Sequence, residues 1–344
     1  MSPRPTQHAQ LQVAAYDALN TYFTTHAKRT LEIEVLPPAL ETTDALILED
    51  GVNLGVPKKI LALAFVHARH LFFAHYRSDV EEEQRLAHEA TRVMLLFDPE
   101  HLTAANHRKR HLLRLEACGD DEAFVKAMGA EGCFMNSILT SPLHRQSKSP
   151  TLWGHRAWWL DLILPALLAI EYDIPAFFME ELNAAIKGGE RHPKNYYAWQ
   201  YARRVVLKRG ESQPAGSSEW ESFLTDCAQK VKSWCMLHVS DISGFSFLMW
   251  VLSLTRSSDE RGRVVQEMVT YGVNVRLTNE SPWTFVRMML ASGLVEEEQK
   301  RDIMRTMDKC RKEHEKSGES TPFSARLGET LYWVAENGAG NDAL

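Results

Sequence analysis

Two lysines stand five residues ahead of tryptophans in this chain, Lys148 before Trp153 and Lys194 before Trp199. Lys194 belongs to "PKNYYAW", so Asn195, Tyr196 and Tyr197 follow a cation directly. An ammonium and phenol hydroxyls at a helix start can hold an anion, because the helix end adds unpaired N–H groups and positive partial charge. The chemistry this permits is binding of a phosphate-type group, or stabilisation of negative charge as such a group departs. A plainer reading competes: a surface lysine is ordinarily solvated, and Tyr196 can be a core ring whose hydroxyl reaches water. One copy cannot separate the two readings; repetition can.

The stretch is repeated. With the tryptophan as anchor, "PKNYYAWQYARR" (193–204) aligns with "KSPTLWGHRAWWL" (148–160), "SDISGFSFLMWVL" (240–252), "NESPWTFVRMML" (279–290) and, less well, "DPEHLTAANHRKRHLL" (98–113). The anchor positions are Ala105, Trp153, Trp199, Phe245 and Trp283, at spacings of 48, 46, 46 and 38 residues. Between each pair lies a further amphipathic segment such as "IPAFFMEELNAAI" (174–186). Five helix pairs therefore recur, and a hairpin that cannot hide its apolar face alone must stack on its neighbours. The expected fold is all-α, a right-handed α-α superhelix in which Trp153, Trp199, Phe245 and Trp283 are structural anchors between layers. Pro150, Pro193 and Pro282 fall at or just before helix starts, where a missing N–H does no harm.

Around the repeats the chain divides into an N-terminal helical region (1–97), the five repeats (98–292) and C-terminal capping helices (293–344), read as one continuous domain. Residues 31–51 alternate briefly, stall at Pro37-Pro38, and are expected to run extended or as a small hairpin. Pro57 suits a first helical turn and Asp79 can cap the following helix. No set of strands capable of building a sheet is evident. "KRGESQPAGSSE" (208–219) and "EKSGESTP" (315–322) read as loops.

Composition excludes several function classes. With 39 Lys and Arg against 45 Asp and Glu the net charge is −6, and no long basic block exists, which argues against a nucleic-acid binder. Five scattered cysteines without CxxC or Cys/His spacing favour a reducing compartment and no metal site on this chain. His107 and His111 lie a helical turn apart but lack a helix-borne acid, so "HRKRH" is read as a basic patch for a partner or for the anion-binding edge. The run "WWLDLILPALLAI" (158–170) is too short to span a bilayer. "MSPRPTQHAQLQ" carries no apolar signal segment, so a cytoplasmic location is expected.

The repeat resembles that of the protein prenyltransferase α-subunit family, whose pattern is close to P-x-N-Y-x-x-W-x-x-R. "PKNYYAW" is a near-complete match, and the flanking copies resemble it in order along about 98–292. The nearest likeness is to the α-subunit-repeat-containing type, which shares a second repeat beginning K-S-P, a fourth carrying S-D-x-S-G-F, and an N-terminal "PP". There are departures. Repeat one has Leu102 and Ala105 in place of the tyrosine and tryptophan, repeat three has Ala202 where an arginine is usual, and repeat four has Phe245 and Leu248.

The resemblance implies an α subunit of a heterodimeric protein geranylgeranyltransferase. The partner would be a zinc-bearing β subunit, here the Rab geranylgeranyltransferase type. This chain would bind no cofactor, and geranylgeranyl diphosphate would be the co-substrate. Protein substrates would carry C-terminal cysteines, such as a SNARE or an F-box protein. By the same resemblance Lys148 and Tyr196 stand where the family contacts the diphosphate. Lys194, Asn195 and Tyr197 are diphosphate- or partner-proximal, Tyr197 replacing the family's histidine. A helical-repeat scaffold with no catalytic role is the alternative; it has no need of lysine and tyrosine at matching points of adjacent layers.

Overall fold

Helix follows helix because apolar residues recur at three and four along nearly every segment, leaving each helix one face to bury. The computed structural model describes residues 6–37, 45–170, 172–213, 216–316 and 321–338. Pro38, part of each proposed loop (214–215 and 317–320) and the last residues of the C-terminal region (339–344) lie outside that set. The chain divides into two compact units, 1–201 and 202–344, and the division falls inside a helix.

The first unit begins with α1 (Gln7–Thr25), α2 (Lys58–His75) and α3 (Glu81–Phe97), with α2 packed against both others. Arg92 of α3 ties this group together by donating to Asn20 Oδ1 and Thr24 Oγ1 of α1, each at 2.8 Å. The repeats follow as α4 (Leu102–Cys118) with α5 (Asp121–Thr140), then α6 (Pro150–Ala169) with α7 (Ile174–Arg191). Helix α8 (Tyr196–Glu211) carries the division between the units. The second unit continues with α9 (Ser218–Leu237), α10 (Ile242–Leu254), α11 (Ser258–Asn274), α12 (Glu280–Ala291), α13 (Glu297–Lys316) and α14 (Pro322–Asn337). The expected all-α fold is the one observed, with fourteen helices among the described residues and little strand. Helix α6 runs unbroken through Pro165.

Three local expectations are corrected. The N-terminal region contains a three-stranded sheet in the order β1-β3-β2, built from β1 (Glu32–Leu36), β2 (Leu48–Asp50) and β3 (Asn53–Pro57). The β2–β3 hairpin turns at Gly51, whose φ of 60° favours glycine. β3 pairs parallel with β1, Ile33 opposite Leu54 and Val35 opposite Val56. Such a pairing joins segments too far apart, and strands too short, for local periodicity to reveal. Pro57 accordingly ends β3 and stands at the N-cap position of α2, one residue before the first helical turn. Asp79 caps nothing: the residue before α3 is Val80, without a side-chain cap.

β1 is an edge strand, and its outer edge is covered by a helix. The Leu31 and Ile33 amides donate to the hydroxyls of Ser137 and Ser141, each at 2.8 Å. Ser141 Oγ returns a bond to the Leu31 carbonyl at 3.2 Å. Two serines one helical turn apart thus stand in for a neighbouring strand, so the buried N–H groups are not left unpaired.

Candidate functional site

The anchors explain how the repeat starts are held. N-cap residues His101, Ser149, Asn195 and Asp241 each stand four residues before Ala105, Trp153, Trp199 and Phe245, and each side chain accepts a first-turn N–H. Asn279 precedes Trp283 by the same interval. Trp153, Trp199, Phe245 and Trp283 are all 1–2% exposed. The Trp153 indole folds back to donate to the Ser147 carbonyl, and the Trp283 indole to the Leu277 carbonyl, both at 2.8 Å. Each ring therefore pins the loop that leads into its own helix. Close approach requires glycine beneath two of them: a Cβ on Gly188 would lie 2.6 Å from the Trp153 ring, and one on Gly272 would lie 2.9 Å from the Trp283 ring.

Between α6 and α8 the loops are joined directly. Asn195 is fully buried, and its amide donates to the Ser147 carbonyl at 2.7 Å and the Gly188 carbonyl at 3.0 Å. Its Oδ1 accepts from the Ala198 amide at 3.3 Å. Asn195 was expected beside a diphosphate or a partner; its side chain is instead used within the protein, as a tie between two repeats. Lys148 directly follows Ser147, at the end of a short 3-10 turn (Gln146–Lys148), and is half-buried. Tyr196 directly follows Asn195 and is exposed. The Ser147–Asn195 bond therefore joins the residue before Lys148 to the residue before Tyr196, at the starts of α6 and α8.

Around this tie the surface is basic and aromatic. Lys194 is exposed with φ of 57°, a left-handed conformation that is uncommon for a residue with a side chain. Tyr197 is exposed, and its ring meets that of Tyr196 edge-on at 5.6 Å. The His144 and His192 rings, one from each loop, meet at 4.2 Å, tilted by 44°. Arg191 donates to the Thr140 carbonyl at 2.8 Å and pairs with Glu32, which fastens β1 beside the same loop.

Beneath the loops, two buried ionic ties repeat one layer apart. Arg156 of α6 grips Glu181 of α7 with two bonds of 2.8 Å, and the Tyr201 hydroxyl of α8 donates to the same carboxylate. One layer earlier Arg108 of α4 grips Glu131 of α5, while His155 Nε2 of α6 lies 2.9 Å from Glu131. In both layers an acid on the second helix joins an arginine of its own repeat to a ring of the next. Burial opposes the Glu131 charge, yet Arg108 and His155 hold its carboxyl well below the usual range. Burial pushes the Tyr201 hydroxyl well above its ordinary value, and Glu181 adds to this.

No motif in the sequence assigns a role to Glu131, Glu181, Ser147 or Gly188. The available signal was an acid 23 or 25 residues after each repeat arginine. "HRKRH" is corrected as well. His107 and Arg108 are each 3% exposed and belong to the interior, and the Lys109 ammonium lies 5.2 Å over the Trp158 ring. Among the described residues no group of three or more His, Cys, Asp or Glu is placed to hold a metal ion. None of the described helices is long and apolar enough to cross a membrane.

Comparison with known proteins points the same way as the motif. Residues 166–274 match the ECM9 middle domain. The chain is similar to protein prenyltransferase alpha subunit repeat-containing protein 1-A of Xenopus laevis, 25% identical over 230 residues, covering 63% of this chain and 48% of that protein. It is similar to protein prenyltransferase alpha subunit repeat-containing protein 1 of Homo sapiens, 23% identical over 207 residues, covering 55% and 45%. The Danio rerio protein of that name is 24% identical over 203 residues, covering 55% and 42%. The chain spans about half the length of these curated relatives.

Proposed function

We propose that this chain is the α subunit of a heterodimeric protein prenyltransferase that transfers a geranylgeranyl group. The observation that carries the reading is the Ser147–Asn195 bond, which joins the residue before Lys148 to the residue before Tyr196 at two helix starts. The names of the relatives support a prenyltransferase-α type of repeat. The partner in this reading is a Rab geranylgeranyltransferase-type β subunit, which supplies the zinc and the isoprenoid pocket.

In the reaction a substrate cysteine thiolate attacks C1 of geranylgeranyl diphosphate. A C–S bond forms, the C1–O bond breaks, and the electron pair leaves with the diphosphate. This chain's part is to meet that growing negative charge. The Lys148 ammonium offers a fixed cation and the Tyr196 hydroxyl a donor, both beside helix N-termini of favourable sign. Lys194 and Tyr197 flank them and face either the diphosphate or the partner. The protein substrates in this reading carry C-terminal cysteines, as a SNARE or an F-box protein does.

The experiment is co-expression with the β subunit, co-purification, and transfer of labelled geranylgeranyl from its diphosphate to a cysteine-terminated protein. Stable pairing with transfer supports the proposal. Stable pairing without transfer favours a scaffold, and absence of pairing removes the reading.

A further inference from the structure

Away from the repeat starts, a cavity of about 100 Å³ opens between the end of α1 and helices α3, α4 and α5. Its lining is rich in nitrogen donors: His26 and Arg29 at the rim, Arg92 and His88 from α3, Arg108 and His111 from α4, with Glu131 the acid of α5. Glu131 is already engaged by Arg108 and His155, so it offers little to the others. Neither Arg29 nor Arg92 pairs with a carboxylate among the described residues. His88 Nδ1 and Arg92 Nε are closed off from solvent with no hydrogen-bond partner. The His88 and His111 rings lie 4.1 Å apart, tilted by 37°.

The crowding has an electrostatic signature. Burial, and then Arg108, pushes Arg92 down to about 10. Burial followed by Arg108 and Arg114 lowers His111 to about 4, against a smaller opposing effect of Glu131. His88 is lowered well below its ordinary value by burial, Arg108 and His111. Arg92 and Arg108 are held together here beside two neutral imidazoles, and the nearby acids are already engaged, Glu131 by Arg108 and His155 and Glu89 by Arg85, so an anion joining the two guanidinium groups offsets the cost of their burial.

We propose that this cavity is a binding site for a tetrahedral oxyanion of the phosphate class, held by Arg92 and Arg29 with the His88 and His111 rings against it. The volume admits one such group. A wider cleft of about 780 Å³ shares His88, Arg92 and His111, and gives room for the organic part of a phosphate ester. The site is separate from the Lys148–Tyr196 edge and does not rest on the prenyl-transfer reading.

The test follows the histidine ring Cε1–H signals of the full chain by NMR while sulfate is added, since sulfate keeps its charge from pH 5 to 8. His88→Gln and His111→Gln assign the signals. The expected result is a saturable shift of the His111 signal, with its pKa rising as sulfate binds. Arg92→Gln should weaken this by about tenfold, and Arg29→Gln, at an exposed position that leaves folding intact, by several-fold. Lys148→Ala should leave it unchanged. Inorganic phosphate and glycerol 3-phosphate form the second arm: equal affinities assign the free ion, tighter binding of the ester assigns the cleft as well. A His111 signal indifferent to sulfate, or unaltered affinity in both arginine variants, overturns the site.

Discussion

The side-chain amide of Asn195 lies 2.7 Å from the Ser147 carbonyl, and this bond joins the loop before α6 to the loop before α8. The same carbonyl accepts the Trp153 indole. One oxygen is thus the meeting point of a core anchor, a helix cap and the two loops that bear Lys148 and Tyr196.

Asn195→Ala removes two donors and one cap at a fully buried position. The Gly188 carbonyl loses this partner and α8 loses its capped first turn, so a stability loss of about 2–3 kcal/mol is expected. Chemical denaturation measures it, and a loss below about 0.5 kcal/mol would show that the tie carries little.

The rings beneath the loops predict a contrast. Trp153→Ala or Trp199→Ala opens a cavity at a residue 1–2% exposed, costing about 3–5 kcal/mol. Gly188→Ala drives a methyl into the Trp153 ring and costs about 1–3 kcal/mol. Gly129→Ala, in open space on α5, should instead stabilise by up to about 1 kcal/mol through helix propensity. Equal effects of the two glycine substitutions would contradict the packing described.

How much of this was legible in the sequence depends on the range of each interaction. The helix pairs, the anchors and the helix-start proline at Pro150 were readable because each is set by spacing within one segment. The sheet was not, since β1 finds its partners through β3 and through Ser137 and Ser141, more than 100 residues away. The roles of Asn195, Glu131 and Glu181 were hidden for the same reason. A polar residue in a motif looks alike in sequence whether it faces solvent or a buried carbonyl from another repeat. "HRKRH" misled in the same manner, because a charge run reads as surface while Arg108 is buried by a partner acid in the next helix.

The serine cover on β1 makes a local prediction. In the Ser137→Ala, Ser141→Ala double variant the Leu31 and Ile33 amides lose their acceptors, so their hydrogen exchange should accelerate by at least about tenfold. Unchanged protection of both amides would mean that the strand edge is held by other means.

Acid stability follows from the depressed histidines. His107 is lowered to about 4, by burial and then Arg114 and Arg110, and His111 also to about 4. Between pH 6.5, the ordinary value, and pH 4 the unfolded chain binds protons that the folded chain does not, so stability falls as pH falls through this window. It is retained above pH 6.5. His107→Gln and His111→Gln should each flatten the decline measured by denaturation at pH 7, 6 and 5. A steeper fall in the variants would reverse the sign of the account.

The most direct test of the central claim is single-turnover transfer by the purified heterodimer, comparing Lys148→Ala and Tyr196→Phe with the parent chain. If their charged and hydroxyl groups meet the departing diphosphate, Lys148→Ala should lower the rate of the chemical step by about 10²–10³ and Tyr196→Phe by a smaller factor, with pairing to the β subunit unchanged. A heterodimer that assembles normally and transfers at the parental rate in both variants would contradict it.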